Sequence, residues 1–162
     1  MYEEINLKNI KYKYKIIPKK RLGQNFIFDQ NILNKIINNI LPIKNYNVIE
    51  IGPGPGGLTL AILKNKPRNL TLVEKDSSFC SVIKKILAKH KHIKSNLIID
   101  DFLNFNLEKN INFNTKIVSN LPYSISTQIL LKVLPFNEYV KEVMFTFQKE
   151  VADRIMSPPN SK

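Results

Sequence analysis

The chain has 162 residues, 43% of them hydrophobic, which is enough for one domain with a real core and excludes a disordered or fibrous polypeptide. Its one cysteine, Cys80, rules out an internal disulfide, and with only His90 and His92 beside it a structural zinc site is excluded too. A formal charge of +12 points to a polyanionic partner, although abundant Lys, Asn and Ile are also what a compositionally biased genome would encode.

Nothing at the start resembles an apolar signal region and no run approaches membrane-spanning length, so a cytoplasmic, monomeric protein without a membrane partner is expected. Residues 1–21 read as a basic N-terminal arm. Between residues 8 and 21 there are seven cations (Lys8, Lys11, Lys13, Lys15, Lys19, Lys20, Arg21) and no acid, interleaved with Tyr12 and Tyr14. Cations for phosphates and rings for bases suit nucleic acid, and Lys13, Lys15, Lys19, Lys20 and Arg21 are the candidate contacts.

Residues 22–162 read as the ligand-binding domain. An ordered loop over 22–28 leads to Asp29, which can cap a helix with Ile32, Leu33, Ile36, Ile37 and Ile40 at helical spacing, ending before Pro42. The β-branched run 47–51 reads as a buried parallel strand, followed by a glycine turn and a helix that Pro67 breaks. Residues 70–74 form a second strand ending in an acid. Asp76 or Ser77 can cap a helix burying Phe79, Val82, Ile83, Ile86 and Leu87. Residues 96–101 form a third strand closing on acids, and 104–114 a loop with one helical turn. Then come a strand over 116–120, a helix over 126–134 ending at Pro135, a strand over 142–147 and a helix over 148–156 stopped by Pro158 and Pro159. This alternation specifies an α/β fold with a doubly wound, mainly parallel sheet.

Four of the five glycines, Gly52, Gly54, Gly56 and Gly57, lie between the first strand and its helix, where small residues let backbone approach a nucleotide-like ligand. The spacing of Gly52, Gly54 and Gly57 also satisfies the dinucleotide fingerprint, which keeps a nicotinamide or flavin oxidoreductase as an alternative. Pro53 and Pro55, however, each remove an N–H from the turn and weaken it as a pyrophosphate cradle. Glu74 stands 22 residues after Gly52, placed to accept from both hydroxyls of a ribose; its ordinary alternative is a surface acid paired with Lys75. Asp101 is placed to accept from an adenine amino group, with Asp100 as competitor. In Asn120-Leu121-Pro122-Tyr123, Pro122 holds Leu121 extended, so that the Asn120 oxygen and nearby carbonyls face the crevice beside the Tyr123 ring. That set suits an exocyclic amine on a flat base.

Four stretches occur in order: Lys20-Arg21-Leu22-Gly23-Gln24-Asn25-Phe26, Glu50-Ile51-Gly52-Pro53-Gly54-Pro55-Gly56-Gly57-Leu58-Thr59, Asn120-Leu121-Pro122-Tyr123-Ser124-Ile125-Ser126-Thr127 and Gln148-Lys149-Glu150-Val151-Ala152-Asp153-Arg154. Together they closely resemble the bacterial small-subunit ribosomal RNA adenine dimethyltransferases of the KsgA type, from about residue 19 to the last. The resemblance implies a Rossmann-like class I methyltransferase domain over 22–162, using S-adenosyl-L-methionine to convert two adjacent adenosines near the 3′ end of small-subunit rRNA to N6,N6-dimethyladenosine. It implies that Asn25 and Ile27 border the cofactor's methionine side, that Gly52 and Gly54 meet it through backbone, that Glu74 holds its ribose and Asp101 its adenine. Asn120 would lie between cofactor and substrate amine, with the Leu121 carbonyl and Tyr123 completing the catalytic set and no metal required. The partner implied is small-subunit rRNA in the immature subunit, contacted by Lys13, Lys15, Lys19, Lys20 and Arg21. The related large-subunit rRNA methyltransferases of macrolide resistance are the alternative, and Leu121 with the 148–151 run favours the small-subunit enzyme. Further strands and a helical C-terminal domain of that family are expected to be missing, which leaves a non-catalytic RNA-binding remnant as a reading of another class.

Overall fold

The computed structural model describes residues 10, 12–14, 16–19, 23–111, 113–134 and 138–158. Helix α1 (Gln30–Asn38) starts where Asp29 accepts hydrogen bonds from the backbone N–H of Asn31 (2.8 Å) and Ile32 (3.2 Å), as its capping chemistry requires. Leu33, Ile36 and Ile37 are buried; Ile32, one position further round the helix, is exposed. Five strands follow: β1 (Asn47–Ile51), β2 (Asn69–Glu74), β3 (Lys94–Ile99), β4 (Thr115–Asn120) and β5 (Val140–Thr146). All pair in parallel, in the order β3-β2-β1-β4-β5.

The crossovers are helical. Helix α2 (Gly57–Lys64) joins β1 to β2, and a 3₁₀ turn (Ser77–Phe79) with α3 (Cys80–Ala88) joins β2 to β3. The short α4 (Leu107–Asn110) precedes β4. A second 3₁₀ turn (Tyr123–Ile125) and α5 (Ser126–Val133) lead to β5, and α6 (Lys149–Met156) follows it. The doubly wound expectation therefore holds. β3 begins two residues earlier than its apolar run and ends at Ile99, which leaves Asp100 and Asp101 just past its end. Pro135 and Pro159, expected as helix stops, lie outside the described residues, as do Lys8, Lys11, Lys15, Lys20 and Arg21.

Alternating strand residues build a core on each face of the sheet. Val48, Leu70, Leu72 and Val118 pack with α1, α2 and α3, while Ile49, Ile51, Val73 and Ile117 pack with Phe102, Phe105 and α5. The first core also buries Ile10 and Ile16, with Tyr14 against it. The described part of residues 1–21 thus packs on the domain through Ile10 and Ile16, whose burial is favourable, while Tyr12 and Ile17 remain exposed. Among the described residues no helix is long and apolar enough to cross a membrane.

Candidate functional site

The sheet order reverses between β1, whose chain continues to β2, and β4 on its other side. The carboxyl ends of the strands part there, and a crevice opens. A cavity of about 530 Å³ fills it, a volume suited to a nucleoside-sized ligand. Its walls bring together Asn25, Ile27, Gly52, Gly54, Glu74, Asp101 and Asn120, every residue that the sequence nominated for cofactor binding.

At Gly52 φ is +62°, a backbone conformation that favours glycine, and a Cβ would meet no atom within 4 Å. Gly54 (φ +54°) is confined from the other side, since a Cβ there would come within 2.7 Å of the Phe26 ring. Three of the four glycine donors are already engaged: Gly52 N–H on the Val73 carbonyl (2.9 Å), Gly54 N–H on Glu74 Oε2 (2.8 Å) and Gly56 N–H on the Pro53 carbonyl (3.0 Å). With Pro53 and Pro55 donating nothing, this turn is ill-equipped to wrap a pyrophosphate.

Glu74 is no surface acid. It is 6% exposed, and Oε1 accepts from the Asp76 N–H at 2.7 Å. Burial pushes its carboxyl above the usual range, with the hydrogen bonds from Asp76 and Gly54 partly offsetting that. One lone pair on each oxygen remains for a diol. Lys75 instead pairs with Asp101 Oδ2 at 2.7 Å, and that hydrogen bond holds the Asp101 carboxyl below its ordinary range, against some burial. Asp101 Oδ1 accepts from the Leu103 N–H (2.9 Å), while Asp100 accepts from the Asp101 N–H (2.7 Å); both acids line the cavity.

On the opposite wall the Asn120 amide is clamped at both ends. Its Nδ2 donates to the Asn25 carbonyl (2.7 Å), and its Oδ1 accepts from Thr146 Oγ1 (2.6 Å). Asn25 Nδ2 in turn donates to the Tyr123 hydroxyl. Pro122, extended as its ring dictates, lines the cavity with Ser124 and Ile125. Leu121 and Tyr123 do not. The Leu121 side chain is buried in the core, and Tyr123, drawn to Asn25, stands outside the cavity wall.

Of the candidate nucleic-acid contacts, Lys13 is exposed and Lys19 lines the cavity; Lys15, Lys20 and Arg21 are outside the described residues. Lys19 Nζ is committed to Asp76 at 2.7 Å, and Gln24 reaches the same carboxylate at 3.2 Å. Slight burial works against ionisation of Asp76, but hydrogen bonds from Lys19 and Ser78 prevail and hold it far below its usual range. Sequence reasoning missed Glu50. It is 1% exposed on β1, lines the cavity and accepts from Thr59 Oγ1 at 2.7 Å. Burial raises it to about 8, the Thr59 hydrogen bond opposes this, and the Glu74 charge adds to it. An acid between Ile49 and Ile51 in an apolar strand was the signal, because a charge is not buried there without a reason.

Fold and site together define a Rossmann-like α/β domain with a crevice at the carboxyl ends of its strands. A family profile described as ribosomal RNA adenine dimethylase matches residues 17–162, and the chain belongs to that family. The ribosomal RNA small subunit methyltransferase A of Anaplasma phagocytophilum (strain HZ) is 43% identical over 145 residues, covering 89% of this chain and 53% of its own. That of Wolbachia pipientis wMel is 41% identical over 162 residues, covering 100% of this chain and 55% of its own. This chain therefore spans about half the length of the curated relatives it matches. Among solved structures, a dimethyladenosine transferase from Plasmodium falciparum superposes with a TM-score of 0.70 at 26% identity, over 80% of this chain and 46% of that one. The 23S rRNA methyltransferase ErmE superposes with a TM-score of 0.69 at 22% identity, over 80% of this chain and 50% of that one, which shows the shared fold alone.

Proposed function

We propose that this chain carries the cofactor half of an rRNA adenine N6,N6-dimethyltransferase, with S-adenosyl-L-methionine in the crevice and two adjacent adenosines near the 3′ end of small-subunit rRNA as substrates. The partner is the immature small subunit, and the chain acts as a monomer. The observation that carries the reading is the opposition, across one crevice, of buried Glu74 and a turn of sequence Asn-Leu-Pro-Tyr. The fit to this cofactor rests on three features: the space at Gly52 that a Cβ would fill, the two lone pairs left on Glu74 for a ribose, and a turn with two prolines and three of its four glycine donors already engaged, which suits a pyrophosphate poorly.

Bound there, the cofactor supplies an electrophilic methyl group on a sulfonium. Glu74 accepts from the ribose hydroxyls and Asp101 from the adenine amine, while Gly52 and Gly54 offer close backbone and Asn25 and Ile27 border the methionine end. The adenine amine of the substrate is a poor nucleophile because its lone pair is shared with the ring. Asn120 Oδ1 accepts from it, with the Leu121 carbonyl, which like Tyr123 stands outside the cavity wall, as second acceptor; they favour the pyramidal nitrogen and stabilise the charge that builds on it. The amide cannot swing away, because Thr146 and Asn25 hold it. Tyr123, just outside the cavity, offers its ring to the flipped base. Lys13, Lys15, Lys19, Lys20 and Arg21 contribute positive charge on the approach, Lys19 least of all since Asp76 neutralises it.

Calorimetry with S-adenosyl-L-methionine, followed by methyl transfer to undermethylated small-subunit particles, tests the reading. One bound cofactor per chain and measurable transfer are expected. Asn120→Ala should keep cofactor affinity within a few-fold while transfer falls about 10²–10³-fold. A variant that transfers at the parental rate would remove Asn120 from the mechanism, and parental binding without transfer would favour the non-catalytic RNA-binding reading.

A further inference from the structure

Helix α3 and the turn after it carry a longer series of lysines, unbroken by an acid, than the other described elements. Between Asp76 and Asp100 the chain has five lysines and no acid. Among the described residues, no carboxylate comes within ion-pair reach of Lys84, Lys85, Lys91 or Lys94. Helix α6 offers the contrast: Lys149, Glu150, Asp153 and Arg154 mix both signs on its surface. Residues 51–73 form an acid-free stretch of equal length with three cations, so it is the number of lysines, more than the missing acids, that sets this face apart.

Topology gives that face a direction. β2 delivers the chain to the crevice, where Ser77 lines the cavity. α3 then runs back along the sheet, roughly 13 Å over its nine residues, to the far end where Lys94 opens β3. Its exposed positions Ser81, Lys84, Lys85 and Ala88 recur at three- and four-residue spacing, and exposed Lys91 continues them. The cations therefore form a stripe leading away from the crevice rim. The docked N-terminal segment joins it midway: the Lys85 ammonium lies 5.4 Å from the Tyr14 ring centre, and Lys13 beside it is exposed.

We propose that this stripe is a docking track for the phosphate backbone of single-stranded RNA, guiding a strand past the crevice; the proposal rests on the RNA-modifying reading above. Flexible point charges without a bidentate geometry suit phosphates, whose recognition needs no base sequence. A membrane surface fits less well. The apolar residues of α3, Val82, Ile83 and Ile86, are spent on the core, so nothing on its outer face could enter a bilayer.

The test compares the parent chain with a variant carrying Lys84→Glu, Lys85→Glu, Lys91→Glu and Lys94→Glu, and with the corresponding four Lys→Arg changes. Fluorescence anisotropy across a salt series, with a single-stranded oligoribonucleotide containing two adjacent adenosines, reads RNA affinity. Calorimetry with S-adenosyl-L-methionine reads the crevice and, at the same time, the integrity of the fold. The glutamate variant should keep parental cofactor affinity while its RNA binding weakens and the slope of log affinity against log salt falls by about 3, or roughly 0.7 for each phosphate left without its cation. The arginine variant should bind RNA as the parent does. Parental affinity and slope in the glutamate variant would overturn the track. So would an equal weakening in the arginine variant, absence of RNA binding by the parent, or sensitivity confined to anionic phosphatidylserine vesicles. If the parent binds no cofactor yet its RNA affinity still depends on these lysines, the track stands and the methyltransferase reading falls.

Discussion

β1 and β5 belong to one parallel sheet, yet their surroundings differ sharply. Four of the five residues of β1 are buried, whereas none of the seven in β5 is. The helices repeat the contrast: α2 buries seven of its eight residues and α6 none. The first region is a packed scaffold that gives the glycine turn and Glu74 no freedom to drift, and this is what a cofactor pocket needs before any ligand arrives. The second is an edge strand and an outer helix with Ile155 and Met156 open to solvent, tied in by ladder hydrogen bonds, by half-buried side chains such as Val143 and Phe145, and at the site by the Thr146–Asn120 hydrogen bond. Packing density here separates the part that holds a ligand from the part that only faces one.

The largest expected effect tests how dry the packed region is. Glu50 has its carboxyl raised from 4.5 to about 8 by burial, so the folded chain holds a proton that the unfolded chain releases. Its contribution to stability is full below pH 4.5 and is lost as pH rises towards 8, on the order of several kcal/mol at roughly 1.4 kcal/mol per unit. Glu74, also raised, adds a slope of the same sign; Asp76 and Asp101, both lowered, act only at acidic pH. Glu50→Gln keeps an acceptor for Thr59 and cannot ionise. Urea denaturation between pH 5 and 9 should show the parent losing stability and the variant staying much flatter, overtaking it at the alkaline end. Parallel curves would mean that water reaches Glu50 and the scaffold is looser than its burial implies.

Next in size is a direct comparison of the two regions by truncation. Ile62 on α2 is 0% exposed and Ile155 on α6 is 44% exposed. Ile62→Ala should cost about 2–5 kcal/mol, the transfer free energy of the deleted methyl groups plus that of the cavity left behind. Ile155→Ala should stay within about 0.5 kcal/mol. Similar losses from the two in urea titrations would erase the distinction.

The packed region was also the more legible one. Strand, glycine turn, helix and terminal acid follow each other within 28 residues, from Asn47 to Glu74, and each is written in local chemistry: β-branched runs, positive φ at glycine, a carboxylate at strand end. Glu74, nominated by its spacing, Asp101 and Asn120, by their strand ends, and Asn25, by the family resemblance alone, all line one cavity. Three things were less accessible. Glu50 sits inside an apolar run, and its place between Ile49 and Ile51 is a hint whose meaning shows only in its burial against Thr59. Ile10 and Ile16 lie among lysines, so charge dominates that segment on paper while packing decides its position in space. Above all, the links Thr146–Asn120, Asn120–Asn25 and Asn25–Tyr123 join residues up to 98 positions apart, and no local pattern encodes such closure.

The smallest expected effect concerns the first of those links, where the loose flank touches the site. Thr146 Oγ1 donates to Asn120 Oδ1 at 2.6 Å from the last residue of β5. Thr146→Val keeps the shape of the side chain and removes the donor. A single neutral hydrogen bond is worth about 1 kcal/mol, and Asn120 is only part-buried, so the urea midpoint should barely move. Cofactor affinity should also hold, because Glu74 and the glycine turn stand on the packed side. What should change is the orientation of the Asn120 amide, which Asn25 alone would then hold, so transfer should fall by about fivefold, the equivalent of that one hydrogen bond. Single-turnover kinetics with saturating cofactor would read this directly. An unchanged rate would show that Asn25 suffices to orient the amide and that the flank contributes nothing to the chemistry. A fall matched by weaker cofactor affinity would show instead that the two regions are mechanically one.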